Sequence, residues 1–367
     1  MIKGDNMNIL HLQLFGYIGG MQTICREINF QSENNNFFYF LFEGGPISDQ
    51  IKETGSCVVV EHAPHHFFLK SLHHFIKYCK EKKIDVVICH AGSPIAWIHL
   101  IVCSIFLKNI KYGVYEHGDI VDMIGNGGIK TWIGKRIMIE AIKHADFVAA
   151  VSEFVKKRNE EILGISTDKV HVVYNGIRSE DFAVNNRIDH DTFHIVYVGR
   201  IFSKKGVHLL VEMAKYFPND MKYTIDIIGE GPDVPELQKR VQEMGLQYKI
   251  CFRGPQLDIS EWLKKMDLFV HPAVWEEGFG ITLVEAMASS IPCVAFHKGA
   301  LPELIQHGVN GYIVEDTSAE ALAKTVYKCY RLFLTDQYNS LRESAKETGS
   351  KFHIKNTVKL LEDLYLL

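Results

Sequence analysis

LFVHPAVWEEGFGITLVEAMASSIPCVAF, residues 268–296, decides the fold. Leu268–His271 is a short apolar run stopped by Pro272, too short for a helix and bounded like a buried strand. Gly278-Phe279-Gly280 then leads into a segment of helical period, and Pro292–Phe296 is a second apolar run. Strands that are apolar throughout, joined by helices, belong to a parallel sheet covered on both faces. The same alternation extends outward in both directions. Upstream, strands are predicted at Asn8–Leu14, Phe37–Phe42, Cys57–Val60, Ile84–His90, Ile110–Tyr115, Phe147–Val151, Val170–Tyr174, Phe193–Val198, Lys222–Ile228 and Lys249–Phe252. Downstream follows Gly311–Val314, and after Ser318 the pattern is helical to Leu367.

A chain of 367 residues exceeds the size at which one core stops growing, so two domains are expected. The longest polar, patternless stretch, SEDFAVNNRIDHD at 179–191, reads as the linker between two doubly wound α/β domains. At 47% apolar residues, and with 40 basic against 44 acidic side chains (net −4), the chain is neither disordered nor built to neutralise a nucleic-acid backbone. The longest apolar segment, Pro94–Leu107, falls short of a bilayer span and carries His99. The N-terminus lacks the apolar core of a signal peptide, which predicts a soluble, cytoplasmic protein. The eight cysteines form no C-x-x-C pair, and several sit inside apolar runs as small hydrophobes, against a disulfide framework or a zinc site.

In doubly wound sheets ligands bind at the carboxyl ends of the strands, so the loops there carry the chemistry. Gly16, Gly19 and Gly20 in FGYIGGMQT precede a helix near Met21, either to bring backbone N–H groups to an anion or simply to make the turn. The spacing matches neither a dinucleotide fingerprint nor a P-loop. In VGRIFSKKG (198–206), Arg200 and Lys205 lie between a strand end and a helix N-terminus, a poor place for cations unless an anion joins them. A diphosphate would satisfy both, and a solvated basic turn is the plain alternative. In the deciding stretch, Glu277 precedes the helix and Glu285 lies eight residues on, so that two carboxylates can accept from separate hydroxyl pairs. The N–H groups from Gly280 through Ile281 to Thr282 would face phosphates between them. Thr282-x-x-Glu285 also spells a capping box, the alternative reading for Glu285.

Taken in order, IGG (18–20), ADFVAAVS (145–152), VVYNGI (172–177), VGRIFSKKG, IIGEGP (227–232), FRG (252–254), DLFVHP (267–272), EGFGITLVE (277–285), GALPELI (299–305) and HGVNGYIV (307–314) closely resemble family 4 retaining glycosyltransferases of the bacterial surface-polysaccharide type. The resemblance implies the GT-B fold: two Rossmann-like domains facing one cleft, an acceptor-side domain at 1–180 and a nucleotide-sugar domain at 190–349. A last helix, 350–367, is expected to cross back to the first domain. It implies a hexosyltransferase (EC 2.4.1) moving a sugar from a nucleotide donor, with UDP the expected carrier, to a saccharide or lipid-linked acceptor. No cofactor beyond the nucleotide sugar, and no metal, is expected. By resemblance Arg200 and Lys205 grip the diphosphate, Glu277 contacts donor-sugar hydroxyls and Glu285 holds the ribose. Gly20 approaches the diphosphate or acceptor, His117 in VYEHG faces the donor sugar, and Arg253 joins the donor site. Two positions depart from the family pattern, Ser290 and Ala300, each standing for a glycine. Ser290 is expected in a turn favouring positive φ, with local adjustment rather than lost activity.

Two competing functions fit the same fold: a nucleotide-sugar epimerase or hydrolase, and an idle sugar-nucleotide-binding partner subunit. The retention of Arg200, Lys205, Glu277 and Glu285 together argues against the second. HHFFLKSLHHFIKYCKEKK (65–83) puts Phe68, Leu69, Leu72, Phe75 and Ile76 on one helical face, with Lys70, Lys77, Lys80, Lys82 and Lys83 beside it. A helix resting on an anionic membrane and a core helix with a solvated lysine face are equal readings. His62, His65, His66, His73 and His74 have poor metal-ligand spacing and read as solvent or interface histidines.

Overall fold

A computed structural model describes residues 6–62, 68–119, 121, 124, 127–182, 191–256 and 258–366. The chain divides into two units. One comprises Met1–Gly176 with Ile354–Leu367, the other Ile177–His353. The division at 176/177 falls just ahead of the polar stretch 179–191, of which 183–190 lie outside the described residues.

The first unit is built on a seven-stranded parallel sheet, with strands β1 (Asn8–Phe15), β2 (Asn35–Glu43), β3 (Cys57–Val60), β4 (Val86–Cys89), β5 (Lys111–Glu116), β6 (Phe147–Ala150) and β7 (Val170–Val172). Their order is β3-β2-β1-β4-β5-β6-β7, so the chain reverses its direction of travel between β1 and β4. That switch opens a crevice at the carboxyl ends of β1 and β4, where doubly wound sheets take ligands. The central strands are buried on both faces; in β1, Ile9, Leu10 and Leu12 are at most 1% exposed. Two of the longer helices start at a serine cap, after Ser152 and Ser318. Ser152 Oγ accepts from the N–H of Val155 to open Glu153–Leu163, and Gly164, at φ +68°, closes it. The C-terminal helix Ile354–Tyr365 packs on this unit. Thr357 Oγ1 donates to the Tyr174 carbonyl (2.8 Å), Ser32 Oγ donates to Glu362 (2.8 Å), and Tyr365 meets the Phe147 ring at 5.6 Å.

The second unit repeats the plan with six parallel strands: β8 (Phe193–Val198), β9 (Tyr223–Ile228), β10 (Ile250–Gly254), β11 (Leu268–His271), β12 (Cys293–Phe296) and β13 (Gly311–Val314), in the order β10-β9-β8-β11-β12-β13. The switch point lies between β8 and β11, the strands whose following loops carry VGRIFSKKG and EGFGITLVE. Its core runs from Phe193 and Ile195 through Leu210, Ile225, Leu268 and Val270 to Val326 and Phe333, all buried.

The helix Phe68–Glu81 sends Leu72, Phe75 and Cys79 into the first unit's core, with Phe75 edge-on to Tyr39 at 5.1 Å. Lys70, Lys77 and Lys80 are exposed, as are Lys82 and Lys83 just beyond, so of the two readings of this segment the core-packed helix is the one seen. His62, His73 and His74 are exposed; His65 and His66 lie outside the described residues.

Candidate active site

In the second unit the two key loops are joined through their backbones. The N–H of Val274 donates to the Lys204 carbonyl (3.0 Å). Gly206, at φ +67°, runs so close to β11 that a Cβ would sit 1.8 Å from the Pro272 oxygen. Only glycine fits there, and the approach brings Lys205 to the end of β11. Lys205 Nζ donates to Glu277 Oε1, and His271 Nε2 lies 3.3 Å from the same oxygen, outside hydrogen-bond geometry. Burial pushes the Glu277 carboxyl up, but the Lys205 ammonium beside it, with His271, overcomes this and holds it at about 2. The position of Lys205 before a helix N-terminus predicts a need for an external anion. The structure corrects this: Glu277 is already that anion.

The Glu276–Glu277 loop is held from behind by the turn before Leu301. Glu276 accepts from the Gly299 N–H, and the Ala300 N–H donates to the Glu277 carbonyl (2.8 Å). Ala300 has φ −82°, which any residue adopts, so alanine serves where the family has glycine. Gly280, at φ +102°, is the N-cap of the helix Ile281–Ala288, and no side chain caps it. The capping-box alternative for Glu285 is therefore not formed: Thr282 lies inside the helix. The N–H groups of Gly280, Ile281 and Thr282 have no acceptor among the described residues. Three aligned donors at the positive end of a helix can receive an anion. Glu285 lies on this helix, half-buried. Ser290 follows it with φ +62°, as the sequence pattern anticipated.

Arg200 is exposed at the end of β8, its guanidinium 5.1 Å over the Phe202 ring, and has no carboxylate partner among the described residues. Tyr197 Oη donates to the Arg200 carbonyl (2.7 Å) and fixes that turn. Lys204 stacks on Trp275 at 3.9 Å. Arg253 stands apart from this cluster, paired with Asp226 (2.6 Å) and lying over Trp262. Arg200, Lys205, Glu277 and the amides 280–282 are thus brought to one sheet edge. The arrangement can hold a diphosphate and accept from hydroxyls beside it.

In the first unit Gly20 is exposed at the first position of the helix Gly20–Gln31, which has no side-chain cap and no acidic residue in its first turn. His117 follows β5 and is hydrogen-bonded to His90 (Nε2 to Nδ1, 2.9 Å), which in turn meets His11 (Nε2 to Nδ1, 2.9 Å). Burial pushes His117 down to about 3 and His11 to about 4, and holds His90 well below the usual histidine range. On the same strand, Glu116 is buried and bonded to Asn159, and burial pushes its carboxyl up to about 7. His11, His90, His271 and Glu116 were missed by sequence reasoning. The available signal was a histidine inside an apolar strand (NILHLQLF) and a histidine immediately after each of two others. His11, Cys25 and His90 place ligand-type atoms within 4.8 Å of one another. Both ring nitrogens of both histidines are already bonded, and burial pushes the Cys25 thiol far up, so the group lacks the free donors a metal needs.

No helix among the described residues is long and apolar enough to cross a membrane. Residues 178–352 match the model for "Glycosyl transferases group 1", and residues 32–181 match that for "Glycosyltransferase Family 4". The chain is 23% identical to an Escherichia coli UDP-Gal:alpha-D-GlcNAc-diphosphoundecaprenol alpha-1,3-galactosyltransferase, over 99% of this chain and 97% of that one. It is 32% identical to the lipopolysaccharide core biosynthesis mannosyltransferase LpsB of Rhizobium meliloti, over 46% of this chain and 49% of that one. Among solved structures, Anabaena Alr3699/HepE in complex with UDP-glucose superposes with a TM-score of 0.83 at 21% identity, covering 99% of this chain and all of that one (100%). Two parallel-sheet, Rossmann-like units are the GT-B fold class, and the two family matches meet where the chain passes from one unit to the other. This chain belongs to the group 1, family 4 glycosyltransferases.

Proposed function

We propose that this glycosyltransferase moves a hexose, with retention of anomeric configuration, from a UDP-sugar to a saccharide or lipid-linked saccharide in surface-polysaccharide assembly. The observation that carries the reading is the Lys205–Glu277 pair at the ends of β8 and β11, beside three N–H groups with no acceptor. Arg200, Lys205 and the amides of Gly280, Ile281 and Thr282 hold the diphosphate; Glu277 accepts from hydroxyls of the donor sugar and Glu285 from those of the ribose. Gly20 and His117 serve the first unit's side of the reaction, and Arg253 lines the outer donor site. A nucleoside diphosphate is already a good leaving group, so no strong general acid is required. The useful work is stabilising negative charge on the departing phosphate with fixed cations and N–H dipoles. No metal is needed in this scheme, since the cations are supplied by side chains. Support for the sugar chemistry and setting comes from the galactosyl- and mannosyltransferase relatives and the UDP-glucose-bound fold neighbour.

In the first unit a hollow of about 570 Å³ at the ends of β2 and β3, lined by Glu43, Gly44, Gly45, Asp49, Val60 and His62, is the place we assign to acceptor hydroxyls. For a membrane-borne acceptor, the supporting surface is the helix Gly128–His144 rather than Phe68–Glu81. Ile129, Trp132 and Ile133 are 75%, 59% and 45% exposed on one face, among Lys130, Lys135 and Arg136. That is the chemistry of an anionic lipid surface. A panel of nucleotide sugars, with and without lipid-diphosphate saccharides and with chelator present, tests the whole reading. Transfer with retained configuration, seen by NMR of the product, is expected. Donor cleavage that never needs an acceptor would favour a hydrolase. Sedimentation with anionic vesicles, lost in Trp132→Ser, tests the surface.

A further inference from the structure

Four side chains form an unbroken hydrogen-bonded row across four adjacent strands of the first sheet. The row runs from Asn36 on β2, to His11 on β1, to His90 just after β4, to His117 just after β5. Each link is short: Asn36 Oδ1 to His11 Nε2 at 3.0 Å, His11 Nδ1 to His90 Nε2 at 2.9 Å, and His90 Nδ1 to His117 Nε2 at 2.9 Å. Asn36, His11 and His90 are all buried, and His11 is stacked on Phe38 at 4.8 Å.

The row has a direction. Asn36 Nδ2 donates to the Asn34 carbonyl (3.2 Å), which turns Oδ1 toward His11 as an acceptor. His11 must then carry its proton on Nε2, and a neutral His11 offers a bare Nδ1. The same logic puts the proton of His90 on Nε2, and then that of His117 on Nε2. At the end of the row, Nδ1 of His117 is a bare lone pair, buried and without a partner among the described residues. A second unpartnered polar group lies beside the row, level with His90. Gln13, on the face of β1 shared with His11 and one step beyond the Leu12–Cys89 pairing, is fully buried with neither its amide oxygen nor its nitrogen bonded. Unpartnered buried polar atoms are costly unless a ligand or water meets them.

We propose that Asn36, His11 and His90 are positioning residues that lock His117 as a hydrogen-bond acceptor, so that the ligand group seated against it is a hydroxyl or amide N–H and not a carboxylate. This rests on the reading of His117 as facing a sugar and adds what sets its polarity. Burial keeps all three rings uncharged at neutral pH, so the row transmits orientation rather than charge.

The test is long-range ¹H–¹⁵N NMR of the full chain labelled at histidine. Three Nε2–H tautomers are expected for His11, His90 and His117 at pH 7; an Nδ1–H or doubly protonated His117 overturns the proposal. In Asn36→Leu, His117 is expected to become a mixture of tautomers, and Asn36→Asp, which keeps the acceptor, to restore one. A His117 unaffected by Asn36→Leu overturns the role of the row. UDP-glucose added to the wild type is expected to move the His117 Nδ1 resonance upfield. Binding of UDP-glucose that leaves that resonance in place overturns the acceptor role. These spectra do not depend on turnover. Correct tautomers in a chain that neither binds nor transfers sugars would sink the proposed function and leave the row standing.

Discussion

The two units solve one problem in opposite ways. Each carries polar side chains along the strands of a sheet or just past their carboxyl ends, where burial penalises charge. The first answers with uncharged rings that hand one hydrogen bond along a row, each histidine held below its ordinary range. The second keeps its charges and pairs them, with Glu277 held at about 2 by Lys205. A neutral row fixes direction and lets a ligand be read by hydrogen bonding. A charged pair stores an anion and a cation that a diphosphate and a polyol can each engage. Under the proposed function the difference divides the labour: recognition by orientation in one unit, electrostatic stabilisation in the other.

Glu277→Ala breaks the comparison most severely. It removes the anion of the charged site, and transfer is expected to fall about 10²–10³-fold while the nucleotide product still binds; steady-state kinetics with calorimetry of UDP checks both. Lys205→Met makes the second unit resemble the first by leaving a buried carboxyl without its cation. Burial then raises Glu277, and the variant should lose about 3 kcal/mol at pH 7. The loss should shrink near pH 4, as Glu277 takes up a proton. In the wild type the sign runs the other way: the stability from a depressed Glu277 is present above the usual carboxylate range and disappears as pH falls toward about 2. Urea melts at both pH values read the difference.

Glu116 sharpens the comparison from the first unit. Its folded value, about 7, is raised, so between about 4.5 and 7 the folded chain keeps a proton that the unfolded chain has lost. Stability from this group therefore falls as pH rises through that window, by at most about 3 kcal/mol. Glu116→Gln should flatten the profile and be the more stable form at pH 8. The smallest effect is a control. Ser290→Gly relieves φ +62° without touching either polar cluster, and should add about 1 kcal/mol in thermal or urea unfolding with unchanged kinetics.

Much of the fold was legible because buried parallel strands are apolar runs with sharp stops. Phe193–Val198, Leu268–His271 and Gly311–Val314 have the same bounds in sequence and structure. β2 is longer than its apolar run because backbone pairing continues past it, with Asn35 opposite Asn8 and Asn36 opposite Ile9. β4 is shorter, because Ile84 and Asp85 precede the ladder that starts at Val86. The charged cluster was legible since Lys205 and Glu277 each sit in a glycine-bearing loop after a strand. Their pairing was not, because it depends on β8 and β11 being neighbours. The histidine row was hidden for the same reason. Positions 11, 36, 90 and 117 share no local pattern and meet only through the order β2-β1-β4-β5.

The path of the chain has a consequence for how the molecule is made. Ile177 donates its N–H to the Phe352 carbonyl (2.9 Å) and bridges to His353, so the second unit begins and ends at one point, as an inserted domain does. The first unit, by contrast, is completed only by the helix Ile354–Tyr365, whose Ile354 and Leu361 are fully buried. During synthesis the second unit has its whole sequence in hand while the first still lacks a wall. The first unit's apolar seam stays open until the helix Ile354–Tyr365 has left the ribosome.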